Sequence, residues 1–446
     1  MLASRWVFRG LAVVAFVVLL ALARDVSFRA DDWDGIANRS LLDPIGLLRP
    51  YNNQFVLVTM TIYRVEFAVV GLQSYLPYVA VVLLGHLFTA AALGRLVTTL
   101  SGPTLGLAAS VVMLFLGTGY EVLSLGLAVG LVTAPGLGLV AIDSILRRRT
   151  SVWVVLPLLA AIACHPIGAV FLIMATIVAW RESREVLGGL ALVWIALIGW
   201  FLAFDVPALT QGGSPTGRNL IDIPAFFAVG IAAAAGSLVG VSALPGAVVL
   251  VGLIVLSWIV RQRPARPALV LAALVGLAGF FALIATTRGE FGIAALEWSR
   301  YRYNAAPMVL VAIAAWVGQP PALSLPRSRS EAVLVGLVAV SLFANLRWYV
   351  LAREQLLDES NETRAALAVA LWAPDLNTWD QNLFLPSPAR VRELAAEAGP
   401  PLRDAFVSGM RPALPRAAAE VACDQFIADA GRRPACVEAV LLSTSG

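Results

Sequence analysis

The chain has 446 residues, 59% of them hydrophobic and 13% charged, with a formal net charge of +4. An average soluble domain carries about 25% charged residues, so this composition excludes a water-facing surface of ordinary size and indicates a polytopic membrane protein. Every basic side chain is arginine, lysine is absent, and the mean hydropathy is +0.83.

Hydrophobic segments of about 17–22 residues, separated by arginine-bearing loops, set the topology. The first covers 8–23, with Arg5 and Arg9 on the cytoplasmic flank because positive charge beside the first span stays inside. Its Ala21-Leu22-Ala23 end matches a signal-peptidase site; a retained anchor is the preferred reading, because further spans follow. Just past it lies Arg29-Ala30-Asp31-Asp32-Trp33-Asp34, three carboxylates at the outer mouth of a span. Residues 54–73 read as apolar but carry Arg64 and Glu66 centrally, and each would cost about 2.5–3.5 kcal/mol at mid-bilayer. This segment is therefore expected to lie flat at the outer interface, with Phe55, Val58, Ile62, Val65 and Val69 toward lipid. Residues 24–74 then form one long external loop.

Spans follow at 75–97, 103–117 and 122–142, the last closed inside by Arg147-Arg148-Arg149. Residues 152–180 exceed one span. His165-Pro166 breaks them into two short helices meeting at an outer turn. A span at 186–204 and an external loop at 205–222 come next. Residues 224–241 are read as re-entrant or interfacial, since a crossing there would put Arg261, Arg263 and Arg266 outside. Segments 245–260, 267–287, 305–317 and 331–346 complete about eleven spans. The fold class is an all-α transmembrane bundle over 1–350, with a small extracytoplasmic region at 351–446. The N-terminus is expected in the cytoplasm and the C-terminus outside. In that last region Cys423 and Cys436 fit either a disulfide or two free thiols. Tyr349, Trp372 and Trp379 fit either interface anchors or platforms for sugar rings.

Four polar clusters share the outer face under this topology. They are Asp31, Asp32 and Asp34 with Trp33; Tyr120-Glu121; Cys164-His165-Pro166; and Arg288 with Arg300-Tyr301-Arg302-Tyr303. Outer-face arginines oppose the positive-inside bias, and a phosphate held at the membrane surface supplies a reason for them. A carboxylate can draw the proton from an acceptor hydroxyl as it attacks, and fixed cations can stabilise a departing phosphate. Adjacent aspartates on a helix diverge by about 100°. One is therefore expected as base and the other as an orienting or metal-binding group, with Asp32 slightly preferred as base over Asp31. Either also fits a helix cap ahead of Trp33. Three cysteines and two histidines are too few for structural zinc, while a divalent cation at the acidic motif stays open. Without lysine there is no Walker-type phosphate loop, so the driving energy is expected to reside in an activated substrate.

These motifs, in this order, resemble the GT-C superfamily of integral-membrane glycosyltransferases. The likeness rests on the Asp31-Asp32-Trp33 loop, on Arg64 ahead of Gly71-Leu72-Gln73-Ser74-Tyr75-Leu76-Pro77-Tyr78, and on His86 in the next span. Tyr120-Glu121-Val122-Leu123 and Ser299-Arg300-Tyr301 are similar to actinobacterial members. The resemblance covers about residues 1–350. It implies a GT-C-like bundle in the plasma membrane that takes a hexose or pentose from a polyprenyl-phosphate donor. The sugar would pass to a cell-envelope glycan, lipid or protein acceptor on the outer face, with inversion and without a covalent intermediate. Asp32 and Asp31 are the expected catalytic pair. Arg300, Arg302, Tyr301, Arg288, Glu121, His165, Trp33 and Asp34 are expected around substrate and phosphate. The bilayer and the lipid-linked donor are the expected partners, and nucleic acid is not. A transporter or lipid flippase is the competing class; its signs are inverted repeats and mid-bilayer charge, whereas here the ionisable residues gather at one face.

Overall fold

The computed structural model describes residues 2–29, 31–37, 39–52, 54–72, 74–206, 221–319, 327–376, 385–397, 414–427 and 429–444. Among them the chain is helical, apart from loops and one isolated bridge between Tyr51 and Gln54. Helix α1 (Leu2–Leu22) leads into the polar stretch bearing α2 (Asp31–Ala37) and α3 (Pro44–Leu48). Asp43 caps α3 by accepting the Gly46 N–H at 2.8 Å, and Pro44 sits where a helix needs no N–H donor. Helix α4 (Leu57–Val70) falls within the segment expected to lie at the interface; Val65 and Val69 are exposed, while Met60 and Tyr63 are buried.

Helices α5 (Leu76–Ser101) and α6 (Pro103–Leu114) form a hairpin closed by Gly102 at φ +91°. They approach closely because a Cβ on Gly94 would sit 1.7 Å from Ser110 Oγ; small residues allow such contact between membrane helices. The expected span at 122–142 starts later. Residues 117–128 form two 3₁₀ turns (Gly117–Gly119 and Gly126–Ala128) around the single-turn α7 (Tyr120–Leu123), and the long helix is α8 (Val129–Leu146). The reason lies at Gly117, where a Cβ would fall 1.8 Å from the Asn345 carbonyl oxygen, and in a tertiary hydrogen bond to the Leu127 N–H described below.

Helices α9 (Val152–Cys164) and α10 (Ile167–Glu182) break at His165-Pro166 as expected. Then come α11 (Leu187–Trp200), which runs on as a π-turn through Asp205, α12 (Ile223–Ser237), α13 (Ala243–Val260), α14 (Pro267–Arg288) and α15 (Ser299–Val317). At 15 residues, α12 is shorter than a bilayer crossing. The expected last span at 331–346 is part of α16 (Arg327–Trp372), a helix of 46 residues. No proline interrupts the sequence from 327 to 373, so the division drawn at residue 350 falls inside one helix. The short helices α17 (Pro388–Glu397), α18 (Arg416–Phe426) and α19 (Arg433–Thr444) follow. Helices α18 and α19 are joined by a Cys423–Cys436 disulfide and pack a small core on the end of α16.

Six described helices are long and apolar enough to cross a membrane, and the bent pair Pro103–Leu114 and Gly117–Leu123 makes a seventh. Other expected spans rest on shorter apolar helices, among them Trp6–Leu22 and Val152–Cys164. On α13 the side chains of Leu244, Val248, Val251, Ile254 and Trp258 are exposed, a continuous apolar surface suited to lipid rather than water. Asp143 near the end of α8 is buried and binds Arg95 Nε at 2.8 Å and Arg147 Nε at 2.9 Å. That cluster marks one end of the bundle. The polar site lies at the other, about 21 Å away along α8 by the rise per residue from Asp143 to Val129.

Candidate active site

Helix α2 presents its two aspartates in different directions, as a helical rotation of about 100° per residue requires. Asp32 is fully buried. Its Oδ1 accepts the Leu127 N–H at 3.0 Å, and its Oδ2 accepts from the Tyr75 hydroxyl at 2.6 Å and the Arg29 N–H at 3.3 Å. Burial raises the Asp32 carboxyl above its ordinary range, against the opposing pull of these donors and the Arg29 charge. Trp33 is equally buried, with its indole N–H donating to the Phe28 carbonyl at 3.3 Å and its ring near Phe28. Neither Asp32 nor Trp33 lines a cavity. Asp31 is half-buried and lines two. The side chain of Asp34 lies outside the described residues.

The larger cavity holds about 270 Å³ and is walled by Arg29, Tyr120, Glu297, Arg302, Trp348 and Glu359. The smaller holds about 120 Å³, with apolar walls from Met60, Leu131 and Phe280 and polar ones from His165, Arg288 and Tyr301. Asp31, Glu121, Leu125 and Arg300 belong to both. At this junction Arg300 Nη2 donates to Glu121 Oε1 at 2.8 Å, and the guanidinium lies 5.2 Å from the Trp298 ring centroid. The Asp31 charge also acts on Arg300.

The first turn of α15 distributes the cations. Arg300 and Arg302 are two positions apart, about 200° around the helix. Arg300 therefore faces the junction, while Arg302 pairs with Glu297 and lies 5.4 Å from the Trp348 centroid. Ser299 Oγ accepts the Glu121 N–H at 3.2 Å, tying α7 to the start of α15. Arg29 is buried. It donates to Ser124 O at 3.1 Å and Ser124 Oγ at 3.2 Å, and stands 3.4 Å from Glu359 Oε2.

His165, at the turn between α9 and α10, accepts the Ile167 N–H through Nδ1 at 3.2 Å. Burial, helped by the Arg300 charge, lowers its pKa to about 3. It faces the smaller cavity as neutral imidazole. Asn304 is buried in the same wall; its amide donates to Arg300 O at 2.9 Å, and its Oδ1 has no partner among the described residues. Thr118 Oγ1 is in the same condition in the larger cavity. Among the described residues no three histidine, cysteine or carboxylate side chains cluster closely enough to hold a metal ion.

The structure thus brings Asp31, Glu121, Arg288, Arg300, Tyr301, Arg302 and His165 to one pair of joined cavities and leaves Asp32 and Trp33 in the packed wall behind them. Of the aromatic residues considered as sugar platforms, Tyr349 is buried outside both cavities, Trp372 lies under the Arg432 guanidinium at 5.4 Å, and Trp379 falls outside the described residues. Their neighbour Trp348 lines the larger cavity instead, with Gln355 and Glu359. These three went unread in the sequence, although spacings of seven and four place them on one helical face. Arg29, quoted as part of the acidic run, also went unread as a wall residue.

No family model and no curated protein sequence matches the chain. Two crystal structures resemble it over most of its length, both of ArnT from Cupriavidus metallidurans, a GT-C membrane fold. The apo state aligns with a TM-score of 0.54 and 14% identity, over 85% of this chain and 82% of that one. The form bound to undecaprenyl phosphate aligns with a TM-score of 0.53 and 15% identity, over 89% of this chain and 88% of that one. At such identity the likeness establishes the fold, a GT-C-like helical membrane architecture.

Proposed function

We propose that this protein is a membrane glycosyltransferase that moves a hexose or pentose from a polyprenyl-phosphate donor to a cell-envelope acceptor on the outer face. The supporting observation is the junction itself, where Asp31 stands between two cavities beside the Glu121–Arg300 pair. The smaller cavity suits the donor. Its apolar walls accept a prenyl chain, and Arg288 brings a guanidinium group to a phosphate, beside the Arg300 that Glu121 already pairs. Binding of undecaprenyl phosphate by the similar ArnT structure supports this choice of donor.

Asp31 is the base in this reading, and the earlier preference for Asp32 is reversed. Asp32 already accepts three hydrogen bonds and is closed off from both cavities, so no acceptor hydroxyl reaches it. In the step, the acceptor oxygen forms a bond to the anomeric carbon from the face opposite the phosphate. The bond from that carbon to the phosphate oxygen breaks, and its electron pair leaves on the lipid phosphate beside the arginines. The hydroxyl proton passes to Asp31. One displacement inverts the anomeric centre. His165, held neutral, can give a hydrogen bond without adding charge. The likeness of Tyr120-Glu121-Val122-Leu123 and Ser299-Arg300-Tyr301 to actinobacterial enzymes belongs to the same proposal, as do the cytoplasmic N-terminus and external C-terminus.

The experiment is transfer of labelled sugar from a polyprenyl-phosphate donor by the purified protein in liposomes, with Asp31→Asn as the control. Sugar transfer that needs Asp31 is the expected result. Passage of the lipid-linked sugar across sealed vesicles with no transfer would put a flippase in its place.

A further inference from the structure

We infer that the acceptor is an uncharged, hydroxyl-bearing sugar held in the larger cavity; this rests on the glycosyltransferase reading and names its second substrate. The charge pattern carries the inference. Each guanidinium group in that wall already has a carboxylate. Arg29 lies 3.4 Å from Glu359, Arg300 lies 2.8 Å from Glu121, and Arg302 is paired with Glu297. With Asp31 included, three guanidinium groups face four carboxylates, so the wall keeps one surplus negative charge when all are ionised. A phosphate or carboxylate on the acceptor would meet no unclaimed cation in that wall and would face that surplus. Juxtaposed like charges of this kind disfavour a partner strongly.

The smaller cavity is built differently. Arg288 lines it, and no ion pair engages that side chain among the described residues. Anion binding is thus provided on the donor side and withheld on the acceptor side.

The polar groups left in the larger cavity match hydroxyls. Gln355 Nε2 donates to Glu359 Oε1 at 2.9 Å, and Gln355 Oε1 accepts from the Tyr120 hydroxyl at 3.3 Å. Gln355 is exposed, and Tyr120 and Glu359 are partly so, which leaves these groups able to exchange partners with a bound polyol. Thr118 Oγ1 is buried in the same wall with no partner among the described residues. The Tyr120 and Trp348 rings lie nearly parallel at 9°, with centroids 6.4 Å apart, offering flat apolar surface beside hydrogen-bonding edges. That combination suits a sugar ring, which has apolar faces and a rim of hydroxyls.

The test uses the purified full chain in liposomes, a polyprenyl-phosphate sugar donor, and a panel of octyl glycosides of hexoses and pentoses. Each neutral glycoside is compared with its phosphorylated and uronic-acid forms. The neutral forms should exceed the charged ones at least about tenfold in kcat/KM. Gln355→Ala should raise the acceptor KM about tenfold and leave the binding of polyprenyl phosphate, measured by titration, unchanged. Glu359→Gln should narrow the gap between neutral and charged acceptors. Equal or better use of charged glycosides, or an unchanged acceptor KM in Gln355→Ala, overturns the inference. Failure of the wild-type protein to bind polyprenyl phosphate would instead overturn the glycosyltransferase reading beneath it.

Discussion

Arg353 on α16 donates through Nη2 to Asp25 Oδ2 at 2.6 Å, closing a loop of 328 residues between the start of the acidic stretch and the far end of the chain. The contact is the first of a series. The Ser27 N–H donates to Ser360 Oγ at 3.2 Å, Glu359 approaches Arg29 at 3.4 Å, and Arg390 of α17 donates to Ala37 O at 3.3 Å. From residue 25 to residue 37, the segment bearing Asp31 is held by the C-terminal part of the molecule. If Asp31 is the base proposed above, which must be placed within a fraction of an ångström to act, loosening this latch should lower the transfer rate as well as stability.

Arg353→Glu sets two carboxylates against each other at residues 25 and 353. Since the pair is partly exposed (35% and 23%), the loss of stability should be about 1 kcal/mol. The transfer rate should drop by more than that suggests. The double variant Arg353→Glu with Asp25→Arg restores the pair and should recover most of the rate, measured by labelled-sugar transfer alongside thermal unfolding.

The two aspartates should separate cleanly. Asp31→Asn is expected to lower kcat by about 10²- to 10⁴-fold, the usual worth of a positioned proton acceptor, with unfolding temperature and donor binding unchanged. Asp32→Asn turns an amide toward three donors and should cost about 1–3 kcal/mol of stability, with catalysis lost only as far as folded protein is lost. Thermal scans run beside kcat measurements distinguish the two patterns.

Arg288→Ala should weaken binding of polyprenyl phosphate about 10- to 100-fold, the loss of a charge-assisted hydrogen-bonding partner. Arg288→Lys should recover only part, because an ammonium cannot grip two phosphate oxygens in a fork. Isothermal titration with the lipid phosphate in detergent reads both effects.

Glu66 on α4 carries a carboxyl raised from 4.5 to about 8, first by burial and then by the Asp32 charge. The folded state therefore holds a proton that the unfolded chain releases. This contribution is fully present below pH 4.5, is lost progressively as pH rises to about 8, and stays lost above. Thermal stability should fall across that window and then level off. Glu66→Gln should flatten the slope.

The Cys423–Cys436 disulfide closes a separation of 13 residues, worth about 3 kcal/mol on chain-entropy reasoning. With the C-terminus outside, Leu442→Cys, at an exposed position, should be labelled by a membrane-impermeant maleimide added to intact cells, while Cys423, Cys436 and Cys164, all buried, stay unmodified. Labelling only after the membrane is opened would reverse the proposed orientation.

Much of the architecture is written locally. Composition alone determined a membrane protein, because an apolar surface of this extent has no other favourable solvent. The proline after His165 broke a helix where it stood, between α9 and α10. The acidic motif and the Arg300 cluster were legible as polar groups that belong together, and Asp31 and Arg300 do line the same two cavities. The likeness of the acidic loop to GT-C enzymes agrees with the observed fold. Tertiary structure decided what no local pattern contains. Asp31 and Asp32 are chemically identical in sequence, and only the arrival of the Leu127 N–H and the Tyr75 hydroxyl made one a buried strut and left the other facing the cavities. The same holds for Trp348, Gln355 and Glu359, which reach the wall of the larger cavity only because α16 continues unbroken past residue 350. Burial and pairing are long-range events, and the side chains that a fold brings together from opposite ends of the chain acquire their chemistry there.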